Sequence, residues 1–337
     1  MKTLIVYHKE DNDGAMSGAL ALYWLTKVLN NDISDIDTLG VDYNDLSLLY
    51  KDGTINTWPE LYTKIIMTDI SFNDWKVMKH IHDKMGSSFI WIDHHAPIIK
   101  ESMKHGFDTI EGIRDSSRSA ILNMFHYLFD PLDISYTNKT CPELLRVLSA
   151  YDSFSFEREG YAEDYVKRIN AAFNVKFDIN ILKHYELLDN IMCEQEDTQF
   201  YPLWIGKPYN DTILSTLNDV GSIIMEYDRQ RYAAMIASSA EYGWTVDGNR
   251  QAAVLFLEGQ TSSSIFETAK NIQNGIVFKH TSCGNWIMSL YNVDWRDTSF
   301  HCGEYLKKKY KGGGHAGAAG CTLNESQFKR ILKNKSI

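Results

Sequence analysis

Three apolar runs in this 337-residue chain stop on acids and imidazoles. TLIVYH (3–8) ends at His8 and passes into Asp11 and Asp13 of HKEDNDG. KIIMTDIS (64–71) delivers Asp69, and SSFIWIDHH (87–95) delivers Asp93, His94 and His95. A further acid, Asp152, closes the helix-like stretch CPELLRVLSAYDSF. Carboxylates and imidazoles without thiolates suit a hard-to-borderline divalent ion such as Mn2+, with Mg2+ or Co2+ as alternatives. The six candidate ligands, His8, Asp11, Asp13, Asp69, His94 and Asp152, are too many for one such ion with open positions. They suit two ions sharing a carboxylate, an arrangement that clamps the attacking and leaving oxygens of an in-line displacement. That is hydrolytic phosphorus chemistry.

A second signal is YKGGGHAGAAG (310–320). Its glycines allow the main chain to approach an anion closely, and His315 can donate to a phosphate oxygen. Residues 301–337 hold eight Lys or Arg against two Glu, a local +6 in a chain of net charge −10. A basic section in an acidic protein suggests local capture of phosphate. The overall charge disfavours clamping long duplex nucleic acid.

These side chains need a scaffold that gathers them. Apolar, β-branched runs alternating with helix-period segments predict a parallel sheet with helices on both faces. In such sheets ligands bind beyond the carboxyl ends of the strands. Between roughly 155 and 235 the pattern is helical, ending in GSIIMEYDRQRYAAMIAS (221–238), one long amphipathic helix. AEYGWTV, QAAVLFLE, a helix-like SSIFETAKNIQ, GIVFKH and NWIMSLYN then predict a second, smaller α/β unit. The fold class expected is α/β: a parallel-sheet N-terminal domain and a smaller α/β C-terminal domain joined by a helical linker. Trp91, Trp286 and Trp295 are expected in cores.

No apolar run reaches the roughly 18 residues needed to span a bilayer, and the N-terminus shows no signal-peptide pattern. The five cysteines are scattered and form no C-x-x-C pair, which predicts free thiols and a cytoplasmic protein. No membrane partner is expected.

Taken in order, HKEDNDG, TDIS, WIDHHAP and the Asp of LSAYDSF resemble the DHH phosphoesterase superfamily, and GGGHAGAAG resembles its DHH-associated C-terminal domain. The resemblance covers nearly the whole chain and divides it into a DHH domain (1–190), a helical linker (191–235) and a DHH-associated substrate-binding domain (236–337). It implies that Asp13, Asp69 and His94 hold one Mn2+ and that His8, Asp11, Asp69 and Asp152 hold the other, with Asp69 bridging. It implies that His95 contacts the scissile phosphate while Asp93 orients the histidine pair. Gly313, Gly314 and His315 would bind the substrate phosphate, and Ser119 of RDSSRSA would lie near the metal cleft. Arg118 or Arg114 would meet a non-scissile phosphate. Many members space the first motif H-x-x-x-D-x-D, whereas this chain has His8-x-x-Asp11-x-Asp13.

The function implied is a Mn2+-dependent phosphodiesterase that hydrolyses short single-stranded oligonucleotides or linear dinucleotides to nucleoside monophosphates. A cyclic-dinucleotide phosphodiesterase and an adenosine 3′,5′-bisphosphate 3′-phosphatase are the enzyme alternatives. A non-catalytic nucleotide-binding module is the alternative from another class. Oligomeric state is left open, a homodimer included.

Overall fold

The computed structural model describes residues 2–72, 74–130, 141–196, 209–258, 263–281, 284–294 and 296–337. The chain divides into two compact units, Met1–Ile224 and Met225–Ile337.

The first unit is built on a four-stranded parallel sheet in the order β2-β1-β3-β4. The strands are β1 (Lys2–His8), β2 (Ile36–Val41), β3 (Tyr62–Thr68) and β4 (Phe89–Ile92). Leu4, Ile5, Val6, Ile65, Ile66, Met67 and all four residues of β4 are buried, as expected of strands covered on both faces. On one face Leu4, Val6, Met67 and Trp91 pack with Trp58, Phe72 and Met78. Each such side chain contributes about 1.5–3 kcal/mol when fully buried. Helix α1 (Asn12–Tyr23) is buried along its whole length, which explains why its residues from Ala15 on are small or apolar on every side rather than striped.

The edge strand β2 is absent from the sequence expectation. Its sequence, IDTLGV, carries an acid and a glycine and is only buried at its two ends, so it lacks the apolar run that marks β1, β3 and β4. Gly40 is required there, because a Cβ would come within 2.8 Å of the Tyr7 ring. After β2 come α2 (Tyr43–Lys51), α3 (Thr54–Leu61), α4 (Trp75–Met85), α5 (Ala96–Lys104) and α6 (Ala120–Phe129). Helices Glu143–Asp152, Glu163–Lys176 and Ile181–Glu196 follow, and helix Tyr209–Ser239 runs across the division between the units.

The second unit is a six-stranded sheet in the order β5-β6-β7-β8-β10-β9. Its strands are β5 (Glu241–Val246), β6 (Arg250–Phe256), β7 (Asn274–His280), β8 (Trp286–Asn292), β9 (Gly313–Gly314) and β10 (Ala318–Leu323). Only β6 and β7 pair in parallel. Helices Cys302–Tyr310 and Glu325–Asn334 complete it. The helix expected in SSIFETAKNIQ is a single 3-10 turn, Ser263–Phe266. Phe266 is fully buried there, against Gly275, where a Cβ would lie 2.1 Å from its ring. Asn271 adopts a φ of +60°, which ends any helical continuation. Trp91 is fully buried, and Trp286 stacks on Phe328 at 3.7 Å; Trp295 lies outside the described residues. Cys141, Cys302 and Cys321 are free. Among the described residues no helix is long and apolar enough to cross a membrane.

Candidate metal centre

Strand register alone brings the first ligands together. Tyr7 pairs with Thr68, and Thr68 pairs with Ile92. His8, Asp69 and Asp93 are the next residues of three neighbouring parallel strands, so they leave the sheet at one edge. Asp69 turns sharply there: its φ is +58°, a left-handed conformation that an aspartate tolerates at a cost of about 1–2 kcal/mol. Its N–H donates to the Ile92 carbonyl at 2.9 Å, which holds the turn.

The short spacing of the first motif has a local cause. Asp11 is the N-cap of α1: one oxygen accepts from the Gly14 N–H at 2.9 Å and the other lies 3.0 Å from His8 Nδ1. A Cβ on Gly14 would stand 2.2 Å from the His8 carbonyl oxygen. Glycine therefore lets the first turn of α1 settle directly on His8, and Asp13 faces inward. Its carboxylate accepts from the N–H groups of Ala120 at 2.7 Å and Ile121 at 2.9 Å, the first turn of α6.

The rest of the cluster surrounds Asp69 and His94. Asp69 Oδ2 lies 3.5 Å from His8 Nδ1, and Asp69 Oδ1 lies 3.2 Å from His94 Nε2. The same His94 nitrogen is 3.4 Å from Asp13 and 3.3 Å from Asp152. The donor atoms of His8, Asp11 and Asp69 fall within 4.8 Å of one another, and so do those of Asp13, Asp69 and His94. Asp69 belongs to both groups. Asp93 Oδ1 accepts from the N–H groups of His94 and His95 and lies 2.8 Å from His95 Nδ1.

The donor set fits divalent cations. Buried oxygens Asp69 Oδ1 and Asp152 Oδ2 make no hydrogen bond of good geometry among the described residues, both face the single nitrogen His94 Nε2, and four carboxylates crowd two imidazoles. The electrostatics show the same surplus. Burial opposes a charge on His8, but Asp11 and Asp69 outweigh it and push the imidazole up to about 11. Burial also opposes ionisation of Asp69, yet His8 and His94 hold its carboxyl below the usual range. Burial pushes Asp152 up to about 6. It also raises Asp13, with Asp152 and Asp69 adding to the effect. A cation bound among these groups would replace the protons that now offset the charge.

Ser119 is fully buried as the N-cap of α6, accepting from Ile121 N–H at 3.2 Å, one residue from the pair that holds Asp13. Arg118 is a surface residue 3.5 Å from Asp115. Arg114 is committed to the carbonyls of Trp91 and Ile110 at 2.9 and 2.7 Å.

Gly313, Gly314 and His315 lie in the second unit, and their segment is a hairpin arm rather than an open loop. Gly314 pairs with Ala319, and Gly313 with Gly320. The Gly312 N–H donates to Leu306 and that of His315 to Ala318 at 2.7 Å. The carbonyls of His315 and Ala316 accept from Gly303 and Cys302, so the arm caps the start of helix Cys302–Tyr310. Lys307, Lys308 and Lys309 occupy the last turn of that helix, at the end from which Gly312 starts the arm.

Two residues near the cluster were not singled out in the sequence. The Tyr43 ring lies 6.2 Å from that of His8, and burial, then the charges of Asp93, Asp69 and Asp11, raise its phenol. Asn123 donates to the carbonyls of Asp93 and Asp115. The signal for Asn123 was present: it is a lone amide within the apolar run AILNMFHYLF. Tyr43 follows the unrecognised β2, so nothing marked it.

No protein-family model and no curated protein matches the sequence. Among solved structures, the chain is similar over 99% of its length to an uncharacterized protein from Helicobacter pylori G27 (14% identity, 99% of that chain, TM-score 0.38). It is likewise similar over 99% to the pGpG-specific phosphodiesterase PggH from Vibrio cholerae (16% identity, 97% of that chain, TM-score 0.44). A third is the exonuclease RecJ bound to manganese (12% identity, 99% of this chain and 89% of that chain, TM-score 0.41). In its ordered motifs this chain resembles the DHH phosphoesterases.

Proposed function

We propose that this protein is a Mn2+-dependent phosphodiesterase that hydrolyses short single-stranded oligonucleotides or linear dinucleotides to nucleoside 5′-monophosphates. One observation carries the proposal: the carboxylate of buried Asp69 is common to two groups of acid and imidazole ligands, one of them wholly buried, at the carboxyl edge of a parallel sheet. Asp13, Asp69 and His94 would hold one ion, and His8, Asp11, Asp69 and Asp152 the other. Two divalent ions there would supply the lowered water pKa and the charge neutralisation that phosphodiester hydrolysis needs. Asp93, by accepting from His95 Nδ1, keeps a proton on that nitrogen and fixes the ring, and His95 Nε2 is the atom that would meet a phosphate oxygen. In the overall reaction water adds to phosphorus, the P–O3′ bond breaks, and the proton ends on the departing 3′-oxygen.

Gly313, Gly314 and His315 serve as the substrate arm in this proposal, with Ser119 and Arg118 as further substrate-binding residues. The domains are a DHH domain (1–190), a linker (191–235) and a substrate-binding domain (236–337). The scattered cysteines support a cytoplasmic setting.

One Mn2+ assay panel tests the proposal: dinucleotides to pentanucleotides, cyclic dinucleotides, adenosine 3′,5′-bisphosphate and pyrophosphate. Ranking by kcat/KM identifies the substrate class. Cleavage of linear dinucleotides should lead. Nucleotide binding without turnover of any member would instead identify a binding module.

A further inference from the structure

We infer that Asn123 is a positioning residue for the metal ligands, an inference that rests on the metal reading above. Its side chain is fully buried in α6, and Nδ2 donates to the carbonyl of Asp93 at 3.2 Å and to that of Asp115 at 2.9 Å. Rotating the amide by 180° would set Oδ1 against two carbonyl oxygens, so the hydrogen-bond pattern fixes its orientation. Oδ1 then has no donor among the described residues. An apolar residue would avoid that buried, unsatisfied oxygen, and every other residue from Ala120 to Phe125 is apolar. Asparagine is kept where only its two donated bonds favour it.

Those bonds reach the turn that bears the histidines. The Asp93 carbonyl belongs to the peptide that links Asp93 to His94. Asn123 thus holds the main chain between the acid that orients His95 and the imidazole that faces Asp13, Asp69 and Asp152. The same end of α6 also touches the other ligand segments. Ala120 and Ile121 donate to Asp13. The Ser119 N–H donates to Ser149 Oγ at 3.3 Å, on the helix that ends at Asp152. The α6 start is therefore a common anchor for three ligand-bearing segments, and the Asn123 side chain grips the histidine turn. Fully buried, it acts through the placement of His94 and Asp93.

The test uses the full chain and Mn2+ itself. Asn123→Leu removes the donor while keeping the branched heavy-atom skeleton, and Asn123→Asp removes it at the same shape. Leu128→Ala loosens the same helix away from the ligands and controls for a loss of stability. Free Mn2+ is measured by electron paramagnetic resonance during titration, alongside thermal melts and KM at saturating Mn2+. The expected result is Mn2+ binding weakened about 10–100-fold in either Asn123 variant, with KM at saturating Mn2+ within about twofold of wild type. If either variant fails to fold, the other supplies the measurement. Unchanged Mn2+ affinity in a folded variant overturns the inference, as does an equal loss in Leu128→Ala. Wild-type protein that binds no Mn2+ overturns the metal reading and this inference together; wild-type binding that the variants leave intact overturns this inference alone.

Discussion

Asp69 turns one carboxylate oxygen to His94 at 3.2 Å and the other to His8 at 3.5 Å. No other acid of the cluster stands between two imidazoles in this way, and this position makes it the natural shared ligand. Asp69→Asn keeps the side-chain shape and the tolerance for positive φ while removing the charge. It should abolish tight Mn2+ binding and lower kcat/KM by at least about 100-fold. A titration showing wild-type Mn2+ affinity would contradict the shared role.

Gly14 carries a steric prediction. In Gly14→Ala the new methyl would meet the His8 carbonyl oxygen at 2.2 Å, and the contact is with backbone rather than a flexible side-chain end. The variant should lose about 1–3 kcal/mol of stability and should bind Mn2+ more weakly, because α1 can no longer seat Asp11 and Asp13 against His8. Chemical denaturation measures the first effect. A variant as stable as wild type would show that the turn relaxes freely.

The pH dependence has a definite sign. His8 is raised from 6.5 to about 11 in the metal-free fold, so the fold holds this proton more tightly than the unfolded chain does. That contribution to stability is complete below pH 6.5 and is lost as pH rises toward 11. His94 and His95 shift in the same direction. Metal-free protein should therefore melt at lower temperature at pH 9 than at pH 6.5. Mn2+ requires the ligating nitrogens of His8 and His94 deprotonated, so the rise in Tm on adding Mn2+ should grow over the same range. A gain independent of pH would argue that the imidazoles are not ligands.

His95 and His315 should separate kinetically. Under the proposed function, His315→Ala weakens substrate capture, raising KM about tenfold with Mn2+ affinity unchanged. His95→Ala should act mainly on kcat, since its ring is fixed by Asp93 beside the ligands. Equal effects of both variants on kcat and KM would remove the distinction.

The scaffold was legible where physical demands on the sequence were strong. Strands β1, β3 and β4 must be apolar on both faces, so they are conspicuous, and each ends on the polar residues of the cluster. The helix ending at Asp152 shows its period equally plainly. The edge strand β2 was hidden because a half-exposed strand can accept Asp37 and Gly40. The Gly-rich segment was visible as composition but not as a hairpin, since its pairing with Ala319 and Gly320 depends on a tertiary partner. Tyr43 was hidden for a related reason, and the lone amide of Asn123 stood out in its apolar run without showing what it meets. Their relation to the cluster comes from helices folding back over the sheet, and neither lies beside a ligand in sequence.

The strand order has a consequence of its own. From β1 the chain first builds outward to β2 on one side, then crosses to place β3 and β4 on the other. The connections that leave β1 and β3 must therefore diverge, one passing over each face of the sheet, and a crevice opens between the two strand ends. His8 and Asp69 stand on the two lips of that crevice. The location of the chemistry is thus a topological property: any sequence winding the sheet in this order would open a cleft there, and this one has filled it with acids and imidazoles.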